Sequence, residues 1–150
     1  MTLLEARTFL QRLKDETSNA SEIKMYEKFI YILSALESRE FSKEDLQSLG
    51  KELDGLQLES NPENRKKHFT KALRTFEKYV KDTFSLISKG YYTNRGIGLG
   101  ASFGLLFGIV VLQGFERSLG IALGLSFGML FGLLIGRSMD AKAIREGNVL

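Results

Sequence analysis

Apolar residues recur at steps of three and four along the first 90 residues, whereas strand-like alternation is nearly absent. This spacing predicts amphipathic α-helices, each with one apolar face. Four helices are predicted, with apolar faces formed by Leu3, Leu4, Phe9, Leu10 and Leu13; by Ile23, Tyr26, Phe29, Ile30, Leu33 and Leu36; by Leu46, Leu49, Leu53 and Leu56; and by Phe69, Leu73, Phe76, Val80, Phe84 and Ile87. We expect a compact bundle, although burial against sister chains in a coiled coil would require the same spacing.

Capping residues predict where the first two helices begin and end. Thr2 and Glu5 have the spacing of a capping box, so the first helix is predicted over residues 3–15. Asn19 is the predicted N-cap of the second helix, which should end near Ser38.

The remaining two soluble helices also carry start and stop signals. Ser42 is the predicted N-cap of the third helix, and Phe41 before it is typical of a hydrophobic staple. Asn61-Pro62 is predicted to start the fourth helix, because proline is tolerated where the backbone N–H is not needed. Gly90 is predicted to end that helix or to act as a hinge.

After Gly90 the chain contains an internal repeat. Residues 96–108 return as residues 120–132, with ten of thirteen positions identical at an offset of 24. Glycine recurs at every fourth position through both copies: Gly96, Gly100, Gly104, Gly108, Gly120, Gly124, Gly128, Gly132 and Gly136. In water each glycine would destabilise a helix by about 1 kcal/mol relative to alanine. In hydrocarbon the helix is enforced, and a glycine stripe lets a second helix approach closely.

The sequence therefore predicts an all-α protein with a soluble bundle and a two-helix transmembrane glycine-zipper hairpin. Each apolar stretch would span about 25–27 Å, against a hydrocarbon core of about 30 Å. The predicted order is a cytosolic helical domain over 1–90, a juxtamembrane hinge over 91–95, a first transmembrane helix over 96–112, a turn over 113–118, a second transmembrane helix over 119–136 and a cytosolic tail over 137–150.

The positions of the basic residues predict the orientation of the hairpin. Arg117 is the only basic residue in the turn, whereas several flank the other ends of the two spans, namely Lys81, Lys89, Arg95, Arg137, Lys142 and Arg145. Because Lys and Arg concentrate on the cytoplasmic side, both termini should be cytoplasmic. Tyr91 and Tyr92 would lie at the interface as an aromatic belt.

The segment after the second glycine stripe supports this topology. Residues 136–147 read Gly-Arg-Ser-Met-Asp-Ala-Lys-Ala-Ile-Arg-Glu-Gly. Together with the preceding hairpin, this sequence resembles the tails of small bacterial glycine-zipper membrane proteins. The resemblance covers about a third of the chain and implies a hairpin in a bacterial inner membrane. Residues 1–90 resemble no family.

Composition excludes several classes of function. Residues 1–95 hold 17 of the 21 Lys and Arg and 15 of the 18 Asp and Glu, so neither part has the basic excess expected of a nucleic-acid-binding protein. The absence of cysteine excludes disulfides, thiolate zinc sites and a cysteine nucleophile. Charges in the first turns of the N-terminal sequence argue against a cleavable signal peptide.

Candidate chemistry is sparse, so we expect neither an enzyme nor a bound cofactor or metal. His68 has Asn64 and Ala72 at helical spacing rather than metal ligands, and it should be a surface histidine. Gly96-x-Gly98-x-x-Ala101 has the outline of a dinucleotide fingerprint but no preceding strand.

Two sets of polar residues have alternative interpretations. Ser102 and Ser126 could bond within or across helices, or could line a water path between assembled hairpins. A basic series either binds anionic lipid headgroups or forms an ordinary solvated surface: Arg65, Lys66, Lys67, Lys71, Arg74, Lys78, Lys81, Lys89, Arg95 and Arg137.

The favoured hypothesis is a non-enzymatic membrane protein that is anchored in the lipid bilayer and self-assembles through its hairpin. The cytosolic helices would then form a regulatory module or bind a protein partner. The alternative hypothesis is an oligomeric, holin-like or channel-like pore. In both hypotheses the protein is a homo-oligomer.

Overall fold

The computed structural model describes residues 1–60, 64–111 and 117–150, with Arg117 described by its backbone alone. These residues form six α-helices and no strand; Ile87 and Val149 form an isolated bridge. The helices are α1 (Leu3–Glu16), α2 (Ala20–Glu37), α3 (Lys43–Gly55), α4 (Arg65–Phe84), α5 (Tyr91–Val110) and α6 (Arg117–Arg145). The all-α prediction is confirmed. The chain forms two compact units, residues 1–86 with Leu150, and residues 87–149.

The first unit is a helical bundle in which α1 to α4 share one apolar core. Two aromatic pairs join α2 to α4: the rings of Tyr26 and Phe69 are 5.3 Å apart, and those of Phe29 and Phe76 are 5.6 Å apart. All four side chains are at least 99% buried. Edge-on and tilted ring contacts of this kind add to the free energy of burial. The predicted bundle is therefore confirmed, and the apolar faces meet within one chain.

The predicted capping residues lie where the sequence placed them. The Thr2 hydroxyl accepts from the Glu5 backbone N–H at 3.2 Å, and the Glu5 carboxylate accepts from the Thr2 N–H at 2.8 Å. Ser42 and Asp45 repeat this reciprocal pair at the start of α3. Asn19 caps α2. Each cap satisfies N–H groups that lack a partner within the helix.

The boundaries of α4 differ from the prediction. Asn61-Pro62 lies outside the described residues, and α4 begins at Arg65 behind Asn64, whose side chain accepts from the Lys67 N–H at 3.0 Å. The helix ends at Phe84 rather than at Gly90, because Ser85 adopts the left-handed conformation with φ 57°.

Three residues assigned to apolar faces lie elsewhere. Ile87 follows α4 and belongs to the second unit, where its N–H donates to the Asn148 carbonyl at 2.9 Å. Leu4 and Leu46 are 56% and 48% exposed, so both were wrongly assigned to the core. Both side chains line one groove on the surface of the bundle.

The second unit contains longer helices than predicted. Residues 91–95 form the first turns of α5 instead of a hinge, and α6 continues through most of the predicted tail to Arg145. The predicted turn lies outside the described residues at 113–116, whereas Arg117 and Ser118 already belong to α6.

Among the described residues, one helix is long and apolar enough to cross a membrane, Ser118–Arg145. The prediction of two such helices is therefore supported for α6 alone. The first five residues of α5 are Tyr-Tyr-Thr-Asn-Arg, and these polar positions shorten its apolar part.

Candidate functional site

Helices α5 and α6 pack as an antiparallel hairpin along their glycine stripes. Along each helix the contacts recur every four residues, and because the helices are antiparallel, four glycines of α5 face four glycines of α6, while Gly136 faces the backbone of Tyr92 and Thr93. The facing pairs are Gly96 with Gly132, Gly100 with Gly128, Gly104 with Gly124, and Gly108 with Gly120. The sequence repeat thus appears in three dimensions as one seam with a four-residue period.

The seam leaves no room for side chains. A Cβ atom on any of eight stripe glycines would lie less than 3.0 Å from backbone atoms of the opposite helix: Gly96, Gly100, Gly104, Gly108, Gly124, Gly128, Gly132 and Gly136. By contrast, a Cβ atom on Gly98 would meet nothing within 4 Å. Glycine is therefore required in the seam because the two backbones nearly touch. Gly98, on the same helix, has no such role.

Asp140 lies at the end of the seam where α5 begins, and no role is predicted for it from the sequence. Its carboxylate accepts from the backbone N–H groups of Tyr92 at 3.0 Å and Thr93 at 2.9 Å, and the residue is 8% exposed. These donors belong to the first turn of α5, where Gly90 provides no side-chain cap. Asp140 is also four residues beyond Gly136, so it occupies the next position of the stripe.

Asp140 thus joins the two helices where glycine packing ends. The carboxylate of α6 satisfies α5 donors and places a negative charge at the positive end of the α5 dipole. Because both hydrogen bonds depend on the register of the helices, the cap holds α5 and α6 at the offset that aligns their glycines. The sequence signal that could have identified it is the four-residue step from Gly136.

The outer surface of the hairpin is apolar and exposed. Among the described residues, all of the exposed large hydrophobic side chains except Leu4, Tyr31 and Leu46 lie on these two helices or directly after α5. On α6, only 22% of the most apolar stretch is buried. The large apolar side chains on this surface include Leu99, Phe103, Leu106, Phe107, Val110, Phe127, Leu130, Phe131 and Leu134, each at least 51% exposed, whereas Leu123 is half-buried. In a water-soluble helix pair the large apolar side chains lie between the helices, whereas here glycines lie between the helices and the large apolar side chains are exposed.

One part of this outer surface is a groove lined by phenylalanine. Its volume is about 550 Å³, and its walls include Phe103 and Phe107 from α5 and Phe127 and Phe131 from α6. These residues are equivalent positions of the internal repeat. Gly104 and Gly128 also line the groove.

The two serines of the repeat bond within their own helices. The Ser102 hydroxyl donates to the Gly98 carbonyl at 3.0 Å, and the Ser126 hydroxyl donates to the Ala122 carbonyl at 2.8 Å. Both residues are exposed on the outside of the hairpin. Their hydroxyl protons are therefore used locally, as is common for serine in apolar helices.

His68 is half-buried, with Nε2 3.3 Å from the Gln57 carbonyl oxygen and 3.4 Å from the Ser60 hydroxyl. No cluster of three or more metal-ligating side chains occurs within residues 1–60, 64–111 and 117–150.

Most of the predicted basic residues are exposed. Lys81 alone is half-buried; the exposed members are Arg65, Lys66, Lys67, Lys71, Arg74, Lys78, Lys89, Arg95 and Arg137. At the start of α5, the Arg95 guanidinium lies 5.1 Å from the centre of the Tyr91 ring, and the Tyr91 and Tyr92 rings are in contact. The structure therefore groups a cation with the two tyrosines of the predicted interfacial belt.

No family model, curated protein or solved structure matches this chain. The likeness of residues 96–150 to the tails of small glycine-zipper membrane proteins thus remains a resemblance. Within residues 136–147, Gly136 packs against the backbone of Tyr92 and Thr93 on α5, and the Asp140 carboxylate accepts hydrogen bonds from their N–H groups.

Proposed function

We propose that this is a non-enzymatic integral membrane protein in which α5 and α6 cross the bilayer together as a glycine-zipper hairpin. The helical bundle of α1 to α4 would be its cytosolic regulatory or partner-binding module. The observation that carries the proposal is the exposed apolar surface of the hairpin, combined with a seam in which only glycine fits. Exposure of that apolar surface to water is unfavourable in free energy, whereas contact with lipid tails is not.

The length of α6 agrees with a crossing, whereas α5 would cross with a shorter apolar part. The 29 residues of α6 span about 43 Å at 1.5 Å per residue; the 20 residues of α5 span about 30 Å, of which the apolar residues 96–110 supply about 22 Å. A hydrocarbon core is about 30 Å thick. The surplus length of α6 would carry Asp140 and the basic residues beyond Gly136 into the headgroup region, where a carboxylate and cations are tolerated.

The proposed orientation places both ends of the hairpin in the cytoplasm. Lys89, Arg95 and Arg137 are exposed near one end, whereas Arg117 is the only basic residue near the other. This asymmetry follows the positive-inside rule. The resemblance of the tail favours a bacterial inner membrane as the location.

Self-assembly is the second part of the proposal. The stripe glycines face the sister helix, so further copies would have to contact the outer surface. The phenylalanine-lined groove lies on that outer surface, and side chains of a second hairpin would pack into it. In lipid, such van der Waals packing is a main source of association.

The proposal is tested by placing arginine on the outer surface of the hairpin. Phe127→Arg, at a side chain that is 56% exposed, should reduce vesicle insertion at least tenfold, because arginine at mid-bilayer costs about 2.5–3.5 kcal/mol. The matched control is Leu46→Arg, at a side chain of the bundle that is 48% exposed. Vesicle flotation after an alkaline wash measures insertion of the full chain.

Two results of this experiment would count against the proposal. Release of the unsubstituted chain by the alkaline wash would exclude an integral membrane protein. Equal flotation of both variants would show that Phe127 does not face lipid. Leakage of an entrapped dye from the same vesicles, if abolished by Gly104→Leu and Gly128→Leu, would favour the pore over the anchor.

A further inference from the structure

A stripe of four exposed cations runs along α4: Lys67, Lys71, Arg74 and Lys78. The steps of four, three and four residues place them on one side of the helix. The opposite side is occupied by buried core residues, including Phe69, Leu73, Phe76 and Val80. The α4 basic stripe is therefore held outward by the packing of the bundle.

Carboxylates hardly neutralise this stripe. Helix α4 has seven basic residues against two acidic ones. The two acidic residues are Glu77 and Asp82. Glu77 forms an ion pair with Lys28 on α2 at 2.8 Å, and Asp82 lies one turn beyond Lys78. No ion pair involves the four stripe cations within the described part of the chain. By contrast, α3 has four acidic residues against two basic ones.

We propose that the α4 basic stripe binds the anionic phospholipid headgroups of the membrane in which the hairpin is anchored. The inference rests on the proposed function, because the anchor supplies the surface. Residues 85–90 join α4 to α5, and six residues extend over about 20 Å at most. The tether keeps the stripe at a high effective concentration near the headgroups.

Charge complementarity identifies the partner as an anionic surface rather than an apolar one. Each Lys or Arg that reaches such a surface strengthens association about fivefold, and salt weakens the attraction over a Debye length of about 8 Å. Lipid is favoured over nucleic acid because the same chain carries an apolar hairpin and no aromatic residue interrupts the stripe.

The test measures lysine modification on the full chain inserted into vesicles. A water-soluble amine-reactive ester is applied to vesicles of phosphatidylcholine alone or mixed with phosphatidylglycerol, and mass spectrometry reports each lysine. Phosphatidylglycerol should reduce labelling of Lys67, Lys71 and Lys78 about fivefold relative to Lys43 and Lys51 of acidic α3. About 0.5 M salt should restore it.

Arg74 is the one residue of the stripe that the ester does not label, so reversing its charge tests whether the stripe binds as a unit. Arg74→Glu should remove most of the protection of the three lysines, whereas Arg12→Glu, at an exposed position on α1, should leave it intact. Equal labelling in both vesicle types would overturn the inference. So would equal protection by inorganic phosphate or by RNA added to phosphatidylcholine vesicles. Chain released by an alkaline wash would instead overturn the proposed function itself.

Discussion

Replacing Gly104 by leucine is expected to separate α5 from α6. A Cβ atom at this position would lie 2.9 Å from the Gly128 Cα and closer still to the Gly124 carbonyl oxygen, so the obstacle is backbone that cannot rotate away. Overpacking of a well-filled core costs about 1–3 kcal/mol, and a backbone clash should reach at least about 3 kcal/mol. The same reasoning applies to Gly128→Leu from the other helix.

Because the chain has no cysteine, two introduced cysteines can carry a unique pair of spin labels. Ser102→Cys and Ser126→Cys place them on the exposed outside of α5 and α6. We expect a narrow distance distribution in the otherwise unsubstituted chain and a longer, broad one with Gly104→Leu. Gly98→Leu is the matched control, since its side chain enters open space on the same helix. An unchanged distribution with Gly104→Leu would contradict the close-packed seam.

Asp140→Ala is expected to have the second largest effect. It removes the acceptor of two backbone hydrogen bonds at a position that is 8% exposed. A hydrogen bond to a charged group contributes about 1.5–3 kcal/mol, and because two bonds to one carboxylate contribute less than their sum, the loss should be about 2–4 kcal/mol. It should concentrate at the start of α5, because the Tyr92 and Thr93 amides lose their partner.

Amide hydrogen exchange measures this effect directly. Exchange at Tyr92 and Thr93 should accelerate at least tenfold in Asp140→Ala, and less in Asp140→Asn, which keeps an acceptor without the charge. Glu146→Ala is the control, because this exposed carboxylate lies 3.8 Å from Lys142 and caps no helix. Unaltered exchange at both amides in Asp140→Ala would show that Asp140 does not cap α5.

Local signals predicted the bundle well. Glu5 follows Thr2, and Asp45 follows Ser42, three positions along the chain, so the spacing that makes each pair a cap can be recognised in the sequence itself. The end of α4 was misplaced because Ser85 carries no sequence mark of its left-handed conformation, whereas Gly90 does.

The pairing of residues across the hairpin could not be predicted from the sequence. Glycine periodicity predicted a stripe on each helix, but only the antiparallel register determines which glycines meet. The role of Asp140 follows from that register, since the residues that it caps lie 47 and 48 positions earlier in the chain. The polar residues 91–95 predict a hinge, whereas in the structure they form the start of α5 because a carboxylate on α6 accepts hydrogen bonds from its first N–H groups.

We propose that both helices of the hairpin cross the bilayer, so that residues before α5 and after α6 lie on one side. Three single cysteines, introduced as Ser18→Cys, Ser118→Cys and Ser138→Cys, report the two sides through a membrane-impermeant maleimide applied to the chain inserted into preformed vesicles. Ser18→Cys and Ser138→Cys should react without detergent, and Ser118→Cys only after detergent is added. Reaction of Ser118→Cys together with Ser18→Cys in intact vesicles would contradict the account.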